Sequence, residues 1–326
     1  MTGNPILSRF QVFGNQFQAV FRPRNIQWPD LHALWLHSER LPKYATETPV
    51  VKRTLDLLGP LDWGRFPERN LARHWVQPAV SYAAFAGAML VKLNEGQESM
   101  GDLRQYLVEH PGLIPLLGFR AVRSRVHACG FDPDASLPTQ RHLTRMLRET
   151  PNSALQFLLA DSVRLIREEL RQHQVEVGEC ISLDTKHILA FVKENNPKTY
   201  IEDRFDKTKQ PAGDPDCKLG CKRRHNQKKK QPLGQDPPPT PNTNPQPGEK
   251  VPFGEFFWGY GSGVVVTKIP GWGELVLAEL TQTFDRADVS YFFPLMTLTE
   301  QRLGFCPRFG TFDSGFDAWC ARSRAL

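Results

Sequence analysis

Apolar residues recur at helical spacing through the first half of the chain and at alternating spacing through much of the second. In the first half, Ser99-Met100-Gly101-Asp102 has the form of a capping box ahead of Leu103, Tyr106 and Leu107. Thr139 is placed to cap a helix over 140–149, with Leu143, Met146 and Leu147 on its apolar side. Asn152 or Ser153 is placed to cap another, on which Leu155, Leu158, Leu159 and Ile166 share one face. Pro111, Pro115, Pro133 and Pro138 punctuate between helices, where a missing N–H does least harm. The longest apolar run, 79–91, is interrupted by Ser81 and falls short of the roughly 20 residues that span a bilayer. It predicts a buried helix and no membrane partner.

From Val175 the period changes. Strands are expected over 175–177, 181–192, 264–268, 274–283 and 309–313, with a helix over 288–303 that Pro294 kinks or starts. Between Asp206 and Pro252 the chain turns polar, with Lys228-Lys229-Lys230 followed by Pro237-Pro238-Pro239-Thr240-Pro241. Such a composition cannot bury enough surface to offset chain entropy, so 206–252 reads as a disordered basic and proline-rich insertion between strands. The fold class is therefore α+β: an all-helical domain over 1–174, then a sheet-bearing α/β domain over 175–326.

Composition alters this picture little. The chain has 326 residues, enough for two domains, and 40% are hydrophobic. Forty-one Lys and Arg against 35 Asp and Glu give a formal charge of +6, and only the clustering of that excess favours a nucleic-acid partner. Residues 1–25 lack the apolar core of a secretory signal. The six cysteines follow no framework spacing, which fits reduced thiols in a cytoplasm. Cys217-x-x-x-Cys221-x-x-x-His225 has spacings that reach a zinc ion, but no fourth ligand stands nearby, and zinc binding stays open.

Two segments carry candidate chemistry, Ile181-Ser182-Leu183-Asp184-Thr185-Lys186 and Phe309-Gly310-Thr311-Phe312-Asp313-Ser314-Gly315-Phe316-Asp317. Each sets an aspartate at the tip of an apolar, strand-like run. Two such carboxylates brought together can hold Mg2+ or Mn2+, because hard cations prefer oxygen ligands, and that equipment serves phosphodiester chemistry. Strand alternation puts Ser182, Asp184 and Lys186 on one face and Leu183, Thr185 and His187 on the other, so His187 reads as a packed histidine. Taken singly, Asp184 also fits a solvated strand residue and Asp313 a turn cap. Asp288 reads as a helix cap and Asp317 as a surface residue.

Arg141, Arg145 and Arg148 form a stripe opposite the apolar side of their helix, suited to phosphates and able to read guanine edges. A solvated charged face gives the same pattern. Arg120, Arg123 and Arg125 add a cluster nearby in sequence, and Lys222-Arg223-Arg224 with Lys228-Lys229-Lys230 suit a flexible, salt-sensitive DNA arm.

In their order along the chain these residues resemble the DDE transposases of bacterial insertion sequences. Leu-Asp-Thr-Lys at 183–186 resembles the segment bearing that family's first catalytic aspartate, and Phe312-Asp313-Ser314-Gly315-Phe316-Asp317 the segment bearing its second. Gly213-Asp214-Pro215-Asp216-Cys217 resembles its Asp-Pro-Asp-Ala turn, Gly259-Tyr260 its Gly-Tyr before a strand, and Thr281 to Asp288 its threonine-to-aspartate segment before a helix. The resemblance implies an RNase H-like catalytic domain, with Asp184 and Asp313 as catalytic residues and ligands for Mg2+ or Mn2+. It also implies double-stranded DNA as partner, both the ends of the insertion sequence and the target, in a nucleoid-associated cytoplasmic setting; a homo-oligomer stays open. Lys186, beside Asp184, joins Arg141, Arg145 and Arg148 as an expected DNA-binding residue.

One departure bears on activity. The family's third acid is a glutamate in a Tyr-x-x-Arg-x-x-Ile-Glu-like helix well downstream of the second aspartate, whereas this sequence runs thirteen residues past Asp313 without that pattern. The expectation is a transposase truncated inside an incomplete RNase H-like domain, inactive as this chain. The alternative is a non-catalytic DNA-binding remnant or inhibitor. A generic metal-dependent nuclease is a third reading, which the Asp-Pro-Asp and Gly-Tyr elements oppose.

Overall fold

Ser81 starts the helix expected from the longest apolar run: its hydroxyl accepts the Ala84 N–H at 2.9 Å, and Ala83 through Ala88 are buried behind it. The computed structural model describes residues 29–37, 48–69, 80–222, 255–313 and 316. The chain divides into two units, Met1–Gln172 and His173–Leu326. Its architecture is mixed α and β, and no helix among the described residues is long and apolar enough to cross a membrane.

The first unit is helical over its described residues: α1 (Leu31–Leu36), α2 (Pro49–Leu58), α3 (Tyr82–Asn94), α4 (Met100–Glu109), α5 (Leu113–Leu116), α6 (Pro133–Ser136), α7 (Gln140–Glu149) and α8 (Asn152–Gln172). Local chemistry sets several starts. Ser99 and Asp102 close the expected capping box at α4, and Thr139 Oγ1 accepts from His142 N at 3.2 Å at α7. Their apolar faces meet in one core that includes Leu55, Leu58, Phe85, Leu103, Leu107, Leu113, Leu143, Met146 and Leu158.

The apolar row expected on α8 is rotated. Leu155 and Ile166 are exposed, and the buried row runs through Ala154, Leu158 and Asp161. Asp161 holds an interior position because its carboxylate is fully engaged: it accepts from Asp62 N at 2.7 Å and pairs with Arg164 at 2.7 Å. On α7, Leu143 and Met146 are buried but Leu147 is half exposed. Pro115 lies inside α5 rather than between helices.

The second unit is a mixed five-stranded sheet: β1 (Cys180–Leu189), β2 (Lys218–Lys222), β3 (Glu255–Ile269), β4 (Gly273–Thr283) and β5 (Phe309–Phe312). The long β3 is central. β1 runs antiparallel along one edge of it, while β2 and then β4 pair antiparallel along the other. β5 follows helix α9 (Val289–Leu303) and pairs parallel with β1, outside it. The helix lies against one sheet face, where Gly261 and Gly263 leave room for Tyr291; a Cβ at Gly263 would come within 2.6 Å of the Tyr291 ring. Tyr291 donates its hydroxyl to Gly261 O at 2.8 Å.

Three expectations need correction here. Residues 175–177 form no strand: they are bracketed by left-handed backbone at Gln174 and Gly178, which turns the chain between helix and sheet. The expected insertion starts too early at 206, because 206–222 form hydrogen-bonded turns and β2; residues 223–254 lie outside the described residues. Pro294 neither starts nor ends α9 but sits within it, and Gly304, at φ 73, terminates the helix.

Candidate active site

Burial along β1 alternates: Ile181 and Leu183 are buried, whereas Ser182, Asp184 and Lys186 are exposed. The buried side faces α9, since the antiparallel register sets Leu183 opposite Val265, and Thr185 and His187 opposite Gly263 and Gly261. Asp184 and Lys186 therefore stand on the other, open face. Their cross-strand partners there are Val264 and Ser262.

β5 brings the second aspartate to the same place. The parallel ladder pairs Ser182 with Thr311 and Leu183 with Phe312, so the next step sets Asp313 beside Asp184 on the neighbouring strand. Strand spacing is about 4.8 Å, and alternation turns both positions to the open face, because Phe312 packs against Phe292 of α9. Asp184 is in the middle of β1 rather than at its tip; only Asp313 stands at a strand end. Asp184 Oδ1 accepts the Thr185 N–H at 2.7 Å, which fixes one carboxylate oxygen. Asp317 lies outside the described residues.

Two adjacent carboxylates with oxygen donors on an open face fit a hard divalent cation. Among the described residues no group of three His, Cys, Asp or Glu is arranged for a metal ion. Glu279 on β4, which no local sequence pattern singles out, also stands on the open face. Register carries Asp184 through Val264 to Glu279, two strand spacings or about 10 Å away. Glu279 accepts from Ser262 Oγ at 2.8 Å and Thr281 Oγ1 at 2.6 Å.

Hydrogen bonds of this unit link segments far apart in sequence. Asp288 precedes α9 as expected, but its side chain makes no cap bond; it accepts from Thr185 Oγ1 at 3.0 Å, tying the helix start to the residue after Asp184. Asp214 Oδ1 accepts from Asp216 N and Cys217 N, each at 3.2 Å, and from the Tyr260 hydroxyl at 2.7 Å. Burial, reinforced by that bond, raises the Tyr260 pKa. The Asp-Pro-Asp turn and the Gly-Tyr pair thus meet in one hydrogen-bonded cluster, and nothing in their local patterns signals that they touch.

His187 is packed as expected, with ring centroids 4.5 Å from Phe284, and its Nδ1 has no hydrogen-bond partner. Cys217 is fully buried beside Ala190, Val192, Leu219 and Trp258, and burial pushes its thiol up to about 11. Cys221 is exposed, and His225 lies outside the described residues.

In the helical unit, Arg141, Arg145 and Arg148 are exposed and line an open depression of about 860 Å³ with Thr139, Gln140, His142 and Thr144. Arg145 is paired with Glu149 at 3.2 Å. Burial and the Arg145 charge lower the pKa of His142 on the same wall. Arg120, Arg123 and Arg125 are exposed on a loop held by a bridge from Arg123 to Phe131. Lys222 ends β2, and the rest of the lysine-rich arm lies outside the described residues. No family model matches the chain, and neither does any curated protein or solved structure.

Proposed function

We propose that this chain is a DNA-binding protein of the DDE transposase lineage, with an RNase H-like sheet carrying Asp184 and Asp313 as a divalent-ion pair. The observation that carries this reading is the register of β1 and β5, which pairs Leu183 with Phe312, the residues that immediately precede two aspartates 129 residues apart in sequence. Strand order supports it: β1, β3 and β4 antiparallel, then helix α9, then β5 parallel beside β1 is the order an RNase H-like sheet requires, with β2 an extra strand on the edge of β3.

The ion would be Mg2+ or Mn2+, held by Asp184 and Asp313. Such an ion, when bound, polarises a phosphate oxygen and lowers the pKa of a bound water. The chain's own residues do the rest: Thr185 fixes Asp184, Lys186 on the same face neutralises phosphate charge, and Arg141 and Arg148 hold duplex backbone. Two carboxylates hold an ion loosely, and a two-ion displacement relies on shared ligands to fix its geometry. In this reading the chain binds double-stranded DNA through its arginines, and two carboxylates alone leave it a non-catalytic DNA-binding protein.

The test is the purified chain with Mn2+ and a duplex. Salt-sensitive binding without nicking is expected. Nicking above background that disappears in Asp184→Ala would replace this reading with an active metal-dependent strand-transfer enzyme. Absence of any DNA binding would remove both forms.

A further inference from the structure

The depression along α7 is lined by three guanidinium groups, those of Arg141, Arg145 and Arg148, and by no carboxylate among the described residues. At a rise of about 1.5 Å per residue, Arg141 and Arg148 stand roughly 10 Å apart along the helix. That span is too long for one phosphate group and suits successive phosphates of a backbone. The same wall carries His142, half-buried beside the exposed arginines. An imidazole differs from its guanidinium neighbours in one respect: it switches between neutral and charged forms within the physiological pH range.

The surroundings of His142 favour the neutral ring in the free chain. Burial disfavours its charged form, and Arg145 on α7 and Arg69 in the segment before α3 act in the same direction, while Glu149 on α7 opposes them. Glu149 is itself engaged, its carboxylate by Arg145 and its backbone carbonyl by the Tyr82 hydroxyl of α3. At the start of α3, Glu68 accepts from the Tyr82 and Ala83 N–H groups, and on α4, which packs beside α7, Arg104 pairs with Asp134. A phosphate arriving among the arginines reverses the balance. Its charge offsets theirs, and a protonated ring gives it one more charge-assisted donor.

We propose that His142 is a phosphate-binding residue of the α7 face and takes up a proton when duplex DNA docks there. The proposal rests on the DNA-binding reading above and adds to the arginines a ligand whose charge depends on pH. The ring holds its proton more tightly in the complex than in the free chain. Duplex affinity therefore climbs as pH falls through the bound ring's pKa and levels off below the free ring's.

The test is fluorescence anisotropy of the full chain with a labelled duplex, at fixed ionic strength, from pH 8 to pH 5.5. Wild-type affinity is expected to rise about tenfold over that range, the effect of about one pKa unit on one ring, and the rise should shrink to about twofold or less in His142→Gln. His110→Gln removes an imidazole that does not line the depression and should keep the wild-type rise; melting temperatures check that both variants fold. Calorimetry of duplex binding at pH 6.5, in buffers of different ionisation enthalpy, counts the protons without any variant, and uptake of about half a proton is expected. A flat pH profile without proton uptake, or a rise that His142→Gln leaves intact, would overturn this inference while salt-sensitive duplex binding left the function above standing. Inorganic phosphate displacing the duplex more strongly than chloride at matched ionic strength would assign the depression to a free anion and likewise overturn it. Failure of the wild-type chain to bind any duplex would overturn both.

Discussion

Gly259 of β3 stands against the backbone of β1, opposite Leu189. A Cβ there would lie 2.1 Å from the Ile188 carbonyl oxygen, a backbone atom that cannot swing aside. Gly259→Ala is expected to cost about 2–4 kcal/mol, read as a lower denaturant midpoint. At Gly64, where the nearest atom would be 3.5 Å away, alanine should stay within about 0.5 kcal/mol. His187 makes a pH-dependent contribution. Burial favours its neutral ring and lowers its pKa below 6.5; Lys222 acts in the same direction, while Asp288 and Asp184 oppose it. The unfolded chain then binds the proton more tightly, so stability is whole above 6.5 and declines as pH falls through the lowered value. Because Nδ1 has no partner, His187→Leu is expected to be near neutral at pH 8 and stabilising at pH 5, measured by melting temperature at both. The packed role of His187 was legible from alternation alone, since parity in a strand is a local property. The need for glycine at 259 was not, because it depends on a carbonyl 71 residues earlier.

Among the helices and strands, what could be read was what neighbours in sequence decide. The caps at Ser99 and Thr139 and the alternation of β1 depend on residues three or two apart, and they fold as expected. α8 could not be oriented that way, because its interior row contains Asp161, whose acceptor role is set by Asp62, 99 residues away. Asp161→Ala is expected to destabilise by about 1–3 kcal/mol, since it strands the Asp62 N–H and leaves Arg164 with Glu168 as its remaining ion-pair partner. Asp161→Asn keeps an acceptor and should cost less, a difference that chemical unfolding of the two variants would resolve. β2 escaped notice for a related reason. Five residues with lysines at both ends and a glycine between them look like linker, and they form a strand because β3 offers an open edge.

Across the molecule, the two aspartates and the arginines are separate devices in separate units, and they should fail separately. Binding of duplex DNA is expected to weaken steeply with salt as displaced counterions are released. Arg141→Ala/Arg148→Ala should flatten the dependence of log affinity on log salt by about 2, roughly one for each phosphate no longer neutralised. Arg145, held by Glu149, should contribute less. Neither change should touch the Asp184 pair. The order of β1, β3, β4, α9 and β5 was legible in the sequence; β2 and the long-range bonds of the sheet unit, Thr185 to Asp288 and Tyr260 to Asp214, were not, because pairing across more than 40 residues leaves no local pattern. The decisive experiment is calorimetric titration of Mn2+ into the full chain and into Asp184→Asn, Asp313→Asn and the double variant. A saturable signal in wild type that either single change abolishes, with nothing further lost in the double variant, is the expected result. Manganese binding that survives both single changes would refute a shared ion site on the open face.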